Sequence, residues 1–163
     1  MRFSCYDFNT VLPNDWKVAI DKKSQYGSGI ISFITPKGIA LDIVWEGLDR
    51  YKVKAPTVEA FINNYFDEMK KNRNIKSLEV VKGIPATADE HETFPHEFTY
   101  EYKQPLSRGV SLKIVGLSMY CLHSNRFVVV YSKSDPKKEN PDEAAIREVI
   151  KTFGCSCNKN AKL

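Results

Sequence analysis

Residues 109–133, GVSLKIVGLSMYCLHSNRFVVVYSK, hold the longest run of unbroken strand character in the chain. Two nearly uncharged segments, 109–120 and 126–133, are rich in Val, Ile, Leu and Tyr and flank a short polar stretch, which is the pattern of a β-hairpin. Segments apolar on both sides of the pleat belong in the middle of a sheet covered on both faces. The joining turn carries Cys121, His123, Ser124, Asn125 and Arg126, so the segment that organises the fold also gathers reactive side chains.

Outward from this hairpin, turn chemistry marks the other strands. Residues 2–8 alternate around aromatic side chains and read as a first strand. Leu12-Pro13-Asn14-Asp15 reads as a bend, because Pro presets φ and Asn and Asp suit a turn. Residues 16–21 alternate as a half-buried strand with Trp16 inward. Thr35-Pro36-Lys37-Gly38 joins strands at 30–34 and 39–45, with Pro and Gly at the positions a tight turn favours. Further strands are expected at 75–82, ended by Gly83-Ile84-Pro85, and at 98–103. Residues 46–56 read as a charged, polar connection, 86–92 as a loop or strand edge, and 104–108 as a turn.

Two helices complete the chain. From Thr57 onward, Val58, Phe61, Ile62, Tyr65, Phe66 and Met69 form one apolar stripe, and the Thr57 hydroxyl is placed to cap the first turn. The second helix opens with Asn140 as cap and Pro141 in the first turn, buries Ile146, Val149, Ile150 and Phe153, and stops at Gly154 as a left-handed residue. Four strands, a helix, four strands and a helix make an α+β fold, an antiparallel β-sheet sandwiched between α-helices. The expected domain covers 1–157, with a flexible tail over 158–163.

The element order and local patterns resemble the PsbP/Mog1-like family. The aromatic first strand, Leu12-Pro13-Asn14-Asp15-Trp16, the Thr35-Pro36-Lys37-Gly38 hairpin, the helix after the fourth strand, Tyr120-Cys121 and Arg126-Phe127 in the late hairpin, and the closing helix carry the resemblance. It implies an α/β/α sandwich that acts mainly as a binding module. Some members of that family assist photosystem assembly, one branch binds a Ran-type GTPase, and none supplies a catalytic motif to carry over.

Bulk properties narrow the function classes. The chain has 163 residues, is 42% hydrophobic and carries a net charge of +4. A charge this mild, with its lysines dispersed, does not call for a nucleic-acid partner. No apolar run approaches the ~20 residues of a membrane-spanning helix. The first residues lack a signal-peptide pattern, so a cytoplasmic, soluble protein is expected unless a leader has been removed. Gly27-Ser28-Gly29 is not a phosphate loop, because it lacks the following Lys and helix.

Three chemical constellations stand out. Cys121 with His123 offers a nucleophile and a base two residues apart, with Asn125 to orient the imidazole. Cys155 and Cys157, at CxC spacing, could share a soft metal ion if further ligands joined them. His91 and His96, in HETFPHE, have the wrong spacing for a zinc-protease helix, and Pro95 would break one, which leaves a surface metal site as their use. The leading expectation is a non-enzymatic binding or assembly module with a protein partner and no cofactor. The alternatives are a thiol enzyme using Cys121 and His123, or a metal-binding protein using Cys155 and Cys157.

Overall fold

The computed structural model describes residues 1–88, 91–103 and 109–157; the expected turn at 104–108 and tail at 158–163 lie outside them. Eleven strands and three helices follow in the order β1 (Arg2–Cys5), β2 (Phe8–Val11), β3 (Lys17–Ile20), β4 (Gly29–Ile34), β5 (Ala40–Gly47), α1 (Asp49–Lys52), α2 (Val58–Lys71), β6 (Ile75–Lys82), β7 (Ala86–Ala88), β8 (His91–Tyr102), β9 (Val110–Cys121), β10 (Arg126–Ser134), α3 (Glu143–Thr152) and β11 (Gly154–Cys155). The main sheet has the order β3-β4-β5-β10-β9-β8-β6, with β7 also on β8, and a second sheet has the order β1-β2-β11. Every pairing is antiparallel.

The hairpin of β9 and β10 is central, as its two-sided apolar character requires. Alternate residues of its strands enter two separate cores. Leu117, Met119 and Cys121 of β9 and Val128 and Val130 of β10 pack with Ile146 and Val149 of α3 and with Phe8 of β2. Ile114 and Tyr120 of β9 and Phe127 of β10 pack with Val58, Ile62 and Phe66 of α2. These are called the α3 face and the α2 face below. Thr57 caps α2 as expected, its hydroxyl accepting from the Ala60 N–H at 3.1 Å.

Pro95 lies inside β8, and the neighbouring strand accounts for it. The β6 pairing ends at Lys82–His96 and the β7 pairing begins at Ala86–Thr93, so the partner strand is interrupted beside the residue that lacks an N–H. Gly83 fills the break, its N–H donating to the Pro95 carbonyl at 2.8 Å. On the outer side of α3, Lys113 and Arg147 each bind both Glu97 and Glu143, at 2.6–3.2 Å, which ties the helix to β8 and β9.

Five expectations change. The strand expected at 98–103 already begins at His91, because 91–97 pairs along β9 as well. Residues 2–8 are not one strand: the chain reverses at Tyr6 and Asp7, both at positive φ (52° and 65°), and pairs β1 with β2. β3 is exposed along its whole length because it is the outer strand of the main sheet, although Trp16 before it is buried. The connection 46–56 contains the short α1. At the closing helix, Asn140 makes its side-chain bond to the Asp142 N–H and the helix starts at Glu143, while Gly154 is extended and pairs with Asn9 in place of a left-handed stop.

Candidate metal centre

His91 and His96 are five positions apart on β8, an odd step that puts them on opposite faces of the sheet. His91 stands directly across from Cys121 in the β8–β9 ladder. Cys121 is also opposite Arg126 in β10, so three side chains of the α3 face meet at the end of the central hairpin. Beyond α3, the chain folds back along β2: Cys155 pairs with Phe8, and the Ser156 N–H donates to the Asp7 carbonyl at 2.8 Å. That short return strand delivers Cys155 and Cys157 beneath Cys121.

The ligand atoms of His91, Cys121, Cys155 and Cys157 all lie within 4.8 Å of one another. Cys121 Sγ is 3.4 Å from Cys157 Sγ and 3.9 Å from Cys155 Sγ, and His91 Nε2 is 3.2 Å from Cys157 Sγ. A tetrahedral zinc ion with Zn–S near 2.3 Å sets its sulfurs roughly 3.8 Å apart, so the four donors are spaced as a Cys3His set. Cys121 and Cys157 are buried, whereas His91 and Cys155 are partly exposed.

The groups around the sulfurs favour negative charge. The Ser124 hydroxyl and N–H point to Cys121 Sγ at 2.8 and 3.4 Å. Arg126, fully buried, donates from Nε to Ser124 Oγ at 2.9 Å and from Nη2 to Cys155 Sγ at 3.7 Å. Its guanidinium is held between the rings of Phe8 and Tyr26, at 4.3 and 4.4 Å from their centroids, and also donates to the Tyr6 carbonyl at 2.8 Å. Hydrogen bonding from Cys155 and Ser124 holds the Cys121 thiol well below its ordinary range, against the effect of burial. The shared hydrogen with Cys121, together with burial, pushes Cys155 up, and burial pushes Cys157 up. The donors that converge on Cys121 Sγ thus favour charge on that sulfur.

The other sequence candidates sit elsewhere. His123 is exposed on the hairpin turn, whereas Cys121 is fully buried and takes its partners from Ser124, Cys155 and Cys157. His96 is buried on the α2 face, away from the thiols. Cys5 packs at the margin of the α3-face core and is not among the four clustered donors. Sequence reasoning named His91, Cys121, Cys155 and Cys157 but separately. The missing signal was register, which pairs His91 with Cys121, and the return strand β11.

No family model and no curated protein matches the chain. Among solved structures, it is similar to the solution structure of cyanobacterial PsbP (CyanoP) from Synechocystis sp. PCC 6803, with a TM-score of 0.56 and 11% identity over 95% of this chain and 91% of that chain. The chain therefore has a PsbP-like fold, remote in sequence. Among the described residues, no helix is long and apolar enough to cross a membrane.

Proposed function

We propose that this chain is a non-enzymatic module that holds one zinc ion through Cys121, Cys155, Cys157 and the Nε2 of His91. The observation that carries the reading is the meeting of four donor atoms, from three separate parts of the chain, within 4.8 Å. Four protein ligands leave no open coordination position, so the ion would serve structure or sequestration and not catalysis. Binding would displace the protons still held by the sulfurs, and the Ser124 and Arg126 donors would orient the thiolates and offset their charge. A disulfide would use two of the sulfurs and give no role to the imidazole.

The thiol-enzyme reading has weaker support, because its nucleophile is buried and its base is exposed on the turn. An assembly role rests on the fold resemblance alone, and fold does not set function. We place the domain over 1–157 and read its layers as an α/β/α sandwich, supported by the separate α2 and α3 cores. Three reduced thiols suit the reducing compartment that a cytoplasmic location would supply.

The test is metal content. Protein purified without a metal-affinity tag, under reducing conditions, and reconstituted with zinc is expected to retain one ion per chain after gel filtration. Cobalt substitution is expected to give the visible bands of a tetrahedral thiolate site. Cys121→Ser and His91→Ala are expected to lose both signals. Protein that retains no zinc, or retains it equally in both variants, would reject the reading.

A further inference from the structure

On the α2 face, β9 presents two small residues in succession, Gly116 and Ser118, between Ile114 and Tyr120. Its neighbours are large at the same level: His96 and Tyr131 stand opposite Gly116, and Val129 stands opposite Ser118. The glycine is required, since a Cβ there would lie 2.6 Å from the Val130 carbonyl and 3.1 Å from His96 Nε2. The result is a trough in the middle of the sheet, flanked by Phe61 and Tyr65 of α2, that forms a half-open cavity of about 310 Å³. That is enough for a small organic ligand.

Ser118 and His96 line this cavity together with the hydroxyl-bearing Tyr65, Tyr100 and Tyr131. Ser118 is 1% exposed, and its Oγ has no hydrogen-bond partner among the described residues. Burying an unpaired hydroxyl is costly, and a site that tolerates one is suited to a ligand that pairs with it. His96 Nδ1 lies 3.1 Å from the Phe94 carbonyl. A carbonyl only accepts, so Nδ1 carries the hydrogen and Nε2 is an acceptor. Burial lowers the pKa of His96, in keeping with a neutral ring.

The charged group is at the other end. Lys133 lines the cavity and holds its Nζ 5.1 Å from the Tyr131 ring centroid. It pairs with Ile114, whereas Ser118 pairs with Val129, so the hydroxyl and the lysine belong to levels four residues apart along the strand, about 13 Å.

We propose that this cavity binds a small phenolic acid, with its hydroxyl between Ser118 and His96, its ring among the aromatic side chains, and its carboxylate at Lys133. The hydroxyl satisfies the buried serine, gives its hydrogen to Nε2 and avoids placing charge in the interior. The carboxylate remains at the mouth, where the ammonium meets it.

Calorimetric titration of the full chain with 4-hydroxycinnamate, cinnamate and 4-hydroxycinnamyl alcohol tests this. The hydroxy acid is expected to bind tightest, with about a tenfold loss on removing either polar end, the fold-change of one hydrogen bond or ion pair of ordinary strength. Ser118→Ala is expected to abolish the preference for the hydroxy acid over cinnamate, and Lys133→Ala the preference for the acid over the alcohol. Ser118→Ala is also expected to raise the denaturation midpoint of the unliganded protein, which separates loss of recognition from loss of fold. Absence of binding, or preferences unchanged in both variants, overturns the proposal.

Discussion

The zinc reading makes a quantitative prediction for the C-terminal return strand. Gly154 and Cys155 are held by two pairings to β2, and Ser156 by its bond to Asp7, so metal ligation would be a major tie on this segment. With free zinc a hundredfold above its dissociation constant, ligation adds about 2.7 kcal/mol to the folded state. In a chain of this length each kcal/mol moves the melting temperature by about 2–4 °C, so zinc is expected to raise it by roughly 5–10 °C over chelated protein. Cys157→Ser keeps the shape of the side chain and removes a soft ligand. The informative quantity is the zinc-induced shift in each protein, because Cys157 is itself buried in the α3-face core and its replacement changes the baseline. Scanning calorimetry with zinc or chelator, under reductant, measures both shifts. Equal shifts in wild-type and Cys157→Ser would refute ligation by this residue.

Three further outcomes are expected. Phe66→Ala empties a buried position on the α2 face and is expected to cost about 3–5 kcal/mol by denaturant unfolding, as large-to-small changes in cores do. Thr57→Ala removes the hydroxyl cap of α2 and is expected to cost about 1 kcal/mol in the same assay. The pH profile carries the third. Burial raises Glu97, but its bonds to Arg147 and Lys113 outweigh that and hold it below the usual carboxylate range, and bonds from Lys113 and Arg147 do the same for Glu143. Depressed carboxylates stabilise the fold above their ordinary pKa, near 4.3 for Glu, and lose that contribution as pH falls through the depressed values. Because the four ion-paired side chains are partly exposed, the loss is expected to be only about 1 kcal/mol, and Glu143→Gln is expected to flatten that part of the stability curve below pH 5.

Local chemistry was legible in the sequence. The Thr35-Pro36-Lys37-Gly38 turn closes as read, with the Gly38 N–H donating to the Thr35 carbonyl at 2.9 Å. The stripe of α2 buries Val58, Ile62 and Phe66, and β6 has the expected bounds. What escaped was set by partners distant in the chain. Tyr6-Asp7 gives only a weak turn signal, because Asp tolerates positive φ but Tyr rarely adopts it. The alternation of 16–21 could not reveal that β3 lies at the sheet's end with both sides open. Gly154 does follow the end of α3, but as an extended residue paired with Asn9 and not as a left-handed cap. The clustering of the thiols depended on that same segment: a left-handed exit from α3 would have sent Cys155 and Cys157 elsewhere.

The alternation of side chains along β9 has a further meaning. Ser118 and Met119 are neighbours in sequence, yet one borders the aromatic cavity and the other the core beside the thiols. The sheet backbone is a partition between them, and its hydrogen bonds are already committed to β8 and β10. Large-to-small changes in the two buried clusters fall in separate cores, so their free-energy effects are expected to add. The two halves of the molecule are thereby free to drift apart in chemistry, one side exchanging ligands while the other keeps its packing.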